Sequence, residues 1–189
     1  MECEAAPLDQ KIAAQVRRLR SERALTIEAL AERSGVSRSM ISLIERGETS
    51  ATAVVLEKLA GGLDVTLATL FEPPLQASDP VSRRSDQAAW RDPGSGYVRR
   101  NVSPAGFPSP IQIVEIVFPP GAQVAYDATS RRTPAHQQVW VLDGKIEITV
   151  GDRHHQLGAG DCLAFVLDQP TAYRNRSRKP ARYAAVIVA

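Results

Sequence analysis

The chain has few cysteine, histidine and aromatic residues, and it has no long apolar run. Only two cysteines, Cys3 and Cys162, and three histidines occur among its 189 residues, so neither a disulfide framework nor a zinc cluster is expected. No stretch approaches the roughly 18 consecutive apolar residues of a membrane-spanning helix. The N-terminus is acidic and lacks the apolar segment of a secretory signal. These absences predict a cytoplasmic protein that makes no use of a membrane.

An excess of charge of either sign is also missing. The 23 basic and 21 acidic residues leave a net charge of +2. Within residues 9–72, nine basic residues face nine acidic ones. Any affinity for nucleic acid must therefore come from the placement of particular side chains and not from the overall charge.

Two hydrophobic periods divide the chain. Before Pro73, apolar residues recur at intervals of three and four, which is typical of amphipathic helices. After about Tyr97 they alternate at two, as strands do. The segment between is rich in Pro, Ser, Asp and Gly, with a short structured piece expected around residues 88–90. The pattern predicts a multidomain α plus β chain with three parts: an all-α domain over 9–72, a linker over 73–95 and an all-β domain over 96–189.

The N-terminal domain is expected to hold about five helices. Thr26, Ser37 and Ser50 are predicted N-caps, and Gly35 and Gly47 follow helix ends, where a positive φ is favoured. The predicted helices span residues 9–22, 27–34, 37–46, 51–60 and 66–71.

The second and third helices, joined by a short turn through Gly35, predict a helix-turn-helix bundle. In such a unit the second helix presents polar side chains from its first turns to base edges in the major groove. Met40, Ile41 and Ile44 lie on one face of this helix and are expected to pack inward. The residues expected to contact DNA are Thr26, Ser37, Arg38, Ser39, Ser42 and Leu43.

These residues have different expected roles. Arg38 is the best candidate for a base contact, because a guanidinium can bond guanine O6 and N7 at once. Thr26 and Ser37, at helix N-termini, are expected to contact phosphate together with backbone N–H groups. Two alternatives stay open: a helical bundle that binds no DNA, and ordinary surface roles for Ser39 and Ser42.

Residues 26–39 and 44–47, as they stand in the chain, resemble the XRE-type family, which includes the phage lambda-like repressors. The resemblance implies sequence-specific binding to double-stranded DNA. It also implies that Arg20 pairs with Glu45 and so fixes the angle between two helices. Leu43 departs from the pattern, since the family often carries a polar residue there. The leucine either leaves fewer hydrogen bonds to bases or contacts a thymine methyl group.

Residues 96–189 are predicted to form a small barrel or sandwich. Asp143-Gly144 lies between two alternating segments and is a strong signal for a two-residue hairpin. The order of the Pro119–Ala122 turn, this hairpin and Gly160-Asp161 resembles a cupin. Besides the hairpin strands, strands are expected over 98–102, 111–118, 161–167 and 181–188.

Cupins that bind a metal carry three histidines and one glutamate at four positions. The resemblance places Arg131, Thr133, Gln137 and Thr171 there, and none offers an imidazole or a carboxylate. We therefore expect no metal, no other cofactor and no catalytic residues. His136 is expected to face away from the barrel interior and His154-His155 to lie at the surface. Cys162 is expected to be a small buried residue rather than a nucleophile.

A cavity in the barrel would suit a small effector. Arg131, Thr133, Gln137, Thr171 and Tyr173 are expected to point into its mouth, where converging polar groups favour ligand binding. Arg131 would favour an anion, such as a carboxylate or phosphate. The alternative is a packed barrel with Arg131 on an exposed loop.

Taken together, these features predict a transcription regulator, not an enzyme. We expect a homodimeric repressor that pairs through its β domains and binds a near-palindromic operator, with an effector that alters its affinity. One alternative is an antitoxin-like or constitutive regulator whose β domain binds protein. A less favoured alternative is a cupin enzyme with a DNA-binding head.

Overall fold

The computed structural model describes residues 8–71, 79–128 and 135–188. Four α-helices come first, and a β-rich half follows. The helices are α1 (Leu8–Glu22), α2 (Ile27–Ser34), α3 (Arg38–Glu45) and α4 (Ala53–Gly62). Their apolar faces meet in a core in which Leu30, Ile41, Leu56 and Leu59 are fully buried.

A fifth α-helix was predicted, and this prediction is wrong. Residues Ala68–Phe71 form a single 3-10 turn. The backbone N–H groups of Thr69 and Leu70 donate to the carbonyls of Thr66 and Leu67, three residues back, at 3.1 and 3.2 Å. Four residues with this bonding pattern make one tight turn, which is the usual extent of a 3-10 helix.

The bounds of α4 also differ from those expected. Its N-cap is Thr52, whose hydroxyl accepts from the Val55 N–H group, while the Ser50 hydroxyl donates to Asp9 at 2.7 Å. At the other end, α4 extends two residues beyond the predicted Ala60, and Gly62 is its last residue. A Cβ atom at Gly62 would come within 2.9 Å of the Ser34 Cβ. This glycine therefore allows the end of α4 to lie close against α2.

Among the described residues, ten strands form two antiparallel sheets. They are β1 (Ala89–Arg91), β2 (Val98–Asn101), β3 (Ile111–Phe118), β4 (Gln123–Tyr126), β5 (His136–Asp143), β6 (Lys145–Val150), β7 (Arg153–Gly158), β8 (Cys162–Val166), β9 (Thr171–Arg174) and β10 (Ala181–Val188). One sheet has the order β1-β2-β3-β10-β5-β8 and the other β4-β9-β6-β7. Strand β1 lies within the interval that the sequence assigns to the linker. The hairpin predicted at Asp143-Gly144 is wrong, because β5 and β6 lie in different sheets. Gly144, at φ +77°, turns the chain from one sheet to the other.

The inner faces of the two sheets enclose the second core. Phe118, Val139 and Val141 from the larger sheet and Ile146 and Ile148 from the smaller one are buried. The buried residues of both domains form one continuous apolar cluster.

The helical domain packs on the barrel through α4 and the 3-10 turn. The Phe71 and Trp90 rings meet edge to face, with centroids 5.4 Å apart. The Thr66 hydroxyl donates to the Gln112 side-chain oxygen at 2.7 Å. These contacts place α4 and the 3-10 turn against the open end of the barrel.

Candidate nucleic-acid interface and barrel cavity

The turn between α2 and α3 is built as the sequence predicts. Gly35 has φ +67°, and its N–H group donates to the Ala31 carbonyl. The Thr26 hydroxyl caps α2 by accepting from the Ala29 N–H group at 3.0 Å. The Ser37 hydroxyl does the same for α3 with the Met40 N–H group at 3.3 Å. Both helix N-termini therefore lie at the surface with their caps exposed.

Helix α3 has one buried and one solvent-facing side. Ile41 and Ile44 are buried, whereas Met40 is 36% exposed. The expectation that Met40 packs inward is therefore wrong: on this short helix the buried face is centred on positions 41 and 44. Of the predicted contact residues on α3 and its cap, Ser37, Arg38 and Ser39 are exposed, and Ser42 and Leu43 are half-buried.

Arg38 forms an ion pair with Glu28 of α2. Its Nη1 lies 3.1 Å from Glu28 Oε1, and both side chains are about two-thirds exposed. Exposed pairs of this kind contribute about 0–1 kcal/mol. The guanidinium can therefore exchange Glu28 for another acceptor at little cost.

The orientation of α3 is set by Arg20 and Glu45. Arg20 donates from Nε and Nη2 to the two Glu45 oxygens at 2.6 and 2.8 Å, and from Nη1 to the Leu25 carbonyl at 2.8 Å. The hydrogen bond to Glu45 raises the pKa of Arg20 although partial burial opposes it. This two-pronged contact ties the end of α1 to the end of α3.

The barrel encloses a cavity of about 70 Å³. Three of the predicted pocket residues, Gln137, Thr171 and Tyr173, line it, and Gln137 donates to the Tyr173 hydroxyl at 2.9 Å. The other two, Arg131 and Thr133, lie outside the described residues. Other lining residues from the barrel are Tyr97, Arg99, Ile116, Tyr126, Tyr183, Ala185 and Ile187.

The four tyrosines of this cavity keep their protons at neutral pH. Burial raises the pKa of Tyr97 to about 12, and it raises the pKa of Tyr126, Tyr173 and Tyr183 above the usual range. The Tyr97 and Tyr126 hydroxyls lie 3.2 Å apart. The lining therefore offers neutral hydroxyls that can donate or accept hydrogen bonds.

Arg99 supplies the positive charge of the cavity lining, and the sequence reasoning missed it. The residue is 5% exposed, and its guanidinium carbon lies 5.1 Å from the centre of the Phe71 ring. Burial lowers the pKa of Arg99. A signal was available in the sequence: Arg99 and Arg100 are adjacent in a predicted strand, and alternation must turn one of them inward.

The helical domain forms part of the cavity rim. Glu57 of α4 and Thr66 and Leu67 of the segment before the 3-10 turn line the cavity together with the barrel residues. Residues from both domains thus line the same cavity.

The side chains at the cupin metal positions do not fit a metal centre. Gln137 and Thr171 present a neutral amide and a hydroxyl, and first-row metals in such sites favour imidazole and carboxylate. Across residues 8–71, 79–128 and 135–188, no three His, Cys, Asp or Glu side chains cluster as metal ligands would. His136 is exposed at the start of β5, and His154 and His155 belong to β7.

Cys162 is exposed, contrary to the expectation of burial. It starts β8 opposite Trp140 of β5, on the outer face of the larger sheet. Within the described part of the chain, no helix combines the length and hydropathy that a membrane crossing needs.

Comparison with known proteins identifies both halves of the chain. A helix-turn-helix family model matches residues 16–70, and a cupin-domain model matches residues 114–188. The chain is 30% identical over 176 residues to the HTH-type transcriptional regulator SutR of Escherichia coli (strain K12), and the match covers 91% of each protein.

Solved structures give similar matches. An HTH_3 family transcriptional regulator from Vibrio cholerae superposes with a TM-score of 0.78 at 25% identity, over 96% of this chain and 97% of that one. Hydroxypropylphosphonic acid epoxidase from S. wedmorenis gives a TM-score of 0.49 at 16% identity, over 94% of this chain and 97% of that one. This weaker likeness carries no argument about activity.

Proposed function

Because this chain belongs to the helix-turn-helix transcriptional regulators that carry a C-terminal cupin domain, we propose that it represses genes as a homodimer on a near-palindromic operator. In this proposal a small effector in the barrel changes the affinity for DNA. The observation that carries it is the solvent-facing side of α3, whose orientation the Arg20–Glu45 contact fixes.

On DNA, α3 enters the major groove with its first turns leading. Arg38 leaves Glu28 and bonds a guanine edge, and Ser39, Ser42 and Leu43 contact the neighbouring bases. Thr26 and Ser37 lie against phosphates at the two helix N-termini, where backbone N–H groups and the helix dipole favour an anion. We propose repression rather than activation, because a dimer bound to an operator that overlaps a promoter excludes RNA polymerase. It needs no contact with the polymerase to do so.

The outer face of the larger sheet carries exposed apolar side chains around the Glu115 ion pairs with Arg100 and Arg182, and this face supports the homodimer. Trp140 is 52% exposed there, and Ile111, Ile113, Val117 and Val188 are 37–46% exposed. Strand register brings these side chains to one side of β3, β10 and β5. Exposed apolar patches of this kind mark interaction surfaces. If two such faces meet about a two-fold axis, the two recognition helices can lie about 34 Å apart, on successive major grooves.

The shared lining of the cavity supports effector control. An effector that binds better with one placement of the helical domain shifts the population towards that placement, and DNA affinity changes with it.

The same outer face also suits another protein, which keeps the antitoxin-like alternative open. In that case the purified chain would be a monomer that needs its partner in order to repress. A constitutive regulator would bind its operator equally well with or without small molecules.

The proposal is tested by mapping genome-wide DNA occupancy of the tagged protein in its own host. We expect sharp, two-fold symmetric sites for the unaltered chain and loss of these sites with Arg38→Ala. The charge-matched control is Arg153→Ala, an exposed change on β7 of the barrel, which should retain every site. Discrete sites that survive Arg38→Ala, or no discrete sites at all, would contradict base reading by α3.

A further inference from the structure

The Arg99 guanidinium has an unsatisfied edge. Its Nε and Nη2 atoms are buried and have no hydrogen-bond partner among the described residues. These two nitrogens share the side of the guanidinium on which their N–H bonds run parallel, the arrangement that matches both oxygens of one carboxylate. Buried N–H groups that donate to nothing are costly even though the Phe71 ring contacts the guanidinium, so this edge is suited to a ligand that carries the opposite charge.

Two other arginines of the chain use the same edge to hold a carboxylate. Arg20 donates from Nε and Nη2 to the two oxygens of Glu45. Arg46 donates from the same two nitrogens to Glu48 at 2.7 and 2.8 Å. In both cases the pair is a two-pronged ion pair within the chain. Arg99 lines the cavity, and the same pair of donors on it has no carboxylate partner among the described residues.

The rest of the cavity sets the size and charge of the ligand. Its 70 Å³ are several times the roughly 10–15 Å³ that one water needs by this measure, which leaves room for an acid of a few non-hydrogen atoms. Ile116, Ala185 and Ile187 offer apolar wall, and the tyrosine hydroxyls offer neutral hydrogen bonds.

The mouth of the cavity disfavours a second negative charge. Glu57 and Asp127 both line it, and Asp127 lies 3.1 Å from Lys58. Arg99 is the one cation among the described lining residues. The second carboxylate of a dicarboxylate would therefore be buried with no lining cation to pair with, which is strongly disfavoured.

From these contacts we propose that Arg99 anchors the effector by its carboxylate, and that the effector is a small organic acid with a single negative charge. The inference rests on the proposed function, whose effector it assigns to a chemical class. It replaces the predicted anion contact of Arg131 with one from a strand residue inside the barrel.

The test is isothermal titration calorimetry of the full chain with propionate, lactate and pyruvate. Propionamide is the uncharged comparison, succinate tests the second charge, and inorganic phosphate tests a different anion. We expect at least one of the three monocarboxylates to bind, and propionamide, succinate and phosphate to bind at least tenfold more weakly. Failure of all three acids to bind at millimolar concentration, or tighter binding of phosphate, overturns the proposal.

Two variants test the anchor. Arg99→Met should weaken acid binding at least tenfold, whereas Arg100→Met, one residue along the same strand, should leave it unchanged. Arg99→Met should melt at or above the temperature of the unaltered chain, because an apolar side chain replaces an unpaired buried cation. Arg99→Lys keeps the charge without the parallel donors and should also bind more weakly. Equal affinity in the unaltered chain, Arg99→Met and Arg99→Lys overturns the assignment.

DNA binding separates this inference from the proposed function. Operator affinity is measured with and without the bound acid. If the chain binds specific DNA through Arg38 but no acid binds at Arg99, the proposed function stands and the assignment of the effector to small organic acids is wrong. Acid binding at Arg99 with no specific DNA site retains the anchor and contradicts the regulator.

Discussion

At the scale of single residues, the ion pair between Arg38 and Glu28 competes with the base contact proposed for Arg38. In the proposed complex Arg38 leaves a carboxylate 3.1 Å away, and Glu28 then places a negative charge near the phosphates. We expect Glu28→Gln to tighten operator binding by up to about fivefold, which corresponds to the roughly 0–1 kcal/mol of an exposed pair.

Fluorescence anisotropy with labelled operator at fixed salt measures this effect. Asp152→Asn, an exposed change of the same charge in the barrel, is the control and should leave the affinity unchanged. If Glu28→Gln bound operator more weakly, Glu28 would be a contact residue in the complex rather than a competitor.

At the scale of secondary structure elements, the N-terminus of α4 depends on a carboxylate from the barrel half of the chain. Asp92, 2% exposed, accepts from the Ala53 N–H group at 2.9 Å. It also accepts from the Ser95 N–H and hydroxyl groups at 2.7 and 2.6 Å. Burial alone would raise the pKa of Asp92. The hydrogen bonds from Ser95, Ala53 and Gly94 outweigh it and hold this pKa below its ordinary value.

This contact predicts a loss of stability in acid. The pKa of Asp92 is lower in the folded chain than in the unfolded chain, where it is about 3.9. The ionised carboxylate therefore makes its full contribution to stability at pH values above about 3.9, and this contribution is lost as the pH falls through the pKa of the folded chain. At pH 7, Asp92→Asn should cost about 1–3 kcal/mol of unfolding free energy. The difference from the unaltered chain should shrink as the pH falls below about 4. Urea unfolding of both proteins at a series of pH values measures this difference in unfolding free energy. A difference that does not depend on pH would contradict the role of the Asp92 carboxylate.

The elements also show what sequence patterns can and cannot locate. The bounds of α2, β3, β6 and β10 agree with those expected, because each has one buried face and clear turn residues at its ends. The start of α4 was misplaced because Ser50 and Thr52 are both good N-caps, and only the Asp9 contact separates them. The end of α4 was placed at Ala60, two residues early, since the close packing of Gly62 against Ser34 leaves no mark in one-dimensional periodicity.

Strands β4 and β7 were missed for a related reason. Strand β7 has no buried residue, so its side chains show no alternation of polarity. Within the candidate site, Gln137 and Thr171 were found through the cupin resemblance, which places them at positions that are metal ligands elsewhere, and Tyr173 was found from the inferred strand register. Arg99 stands at no such position, and its role depends on which of two adjacent arginines faces inward.

At the scale of the whole molecule, the apolar outer face of the larger sheet predicts self-association. Trp140→Glu puts a charge at its most exposed aromatic residue, and burying that charge in a dimer interface would be strongly disfavoured. We expect the variant to be a folded monomer that binds a full operator at least tenfold more weakly than the unaltered chain.

Light scattering coupled to size-exclusion chromatography measures the mass. Gln156→Glu, an exposed change on β7 of the other sheet, should remain dimeric. A dimeric Trp140→Glu variant would place the interface elsewhere, and a monomeric unaltered chain would favour the antitoxin-like alternative.

The continuous apolar cluster across the two domains restricts how a signal can travel. Pulling the helical domain away from the barrel would expose the ring faces of Phe71 and Trp90 to water and break the Asp92 contact with α4. Small sliding motions of packed elements keep such surfaces covered, whereas hinge opening exposes them. The chain is therefore suited to signalling by shear, with α4 shifting over the barrel mouth while the apolar cluster shared by the two domains stays covered.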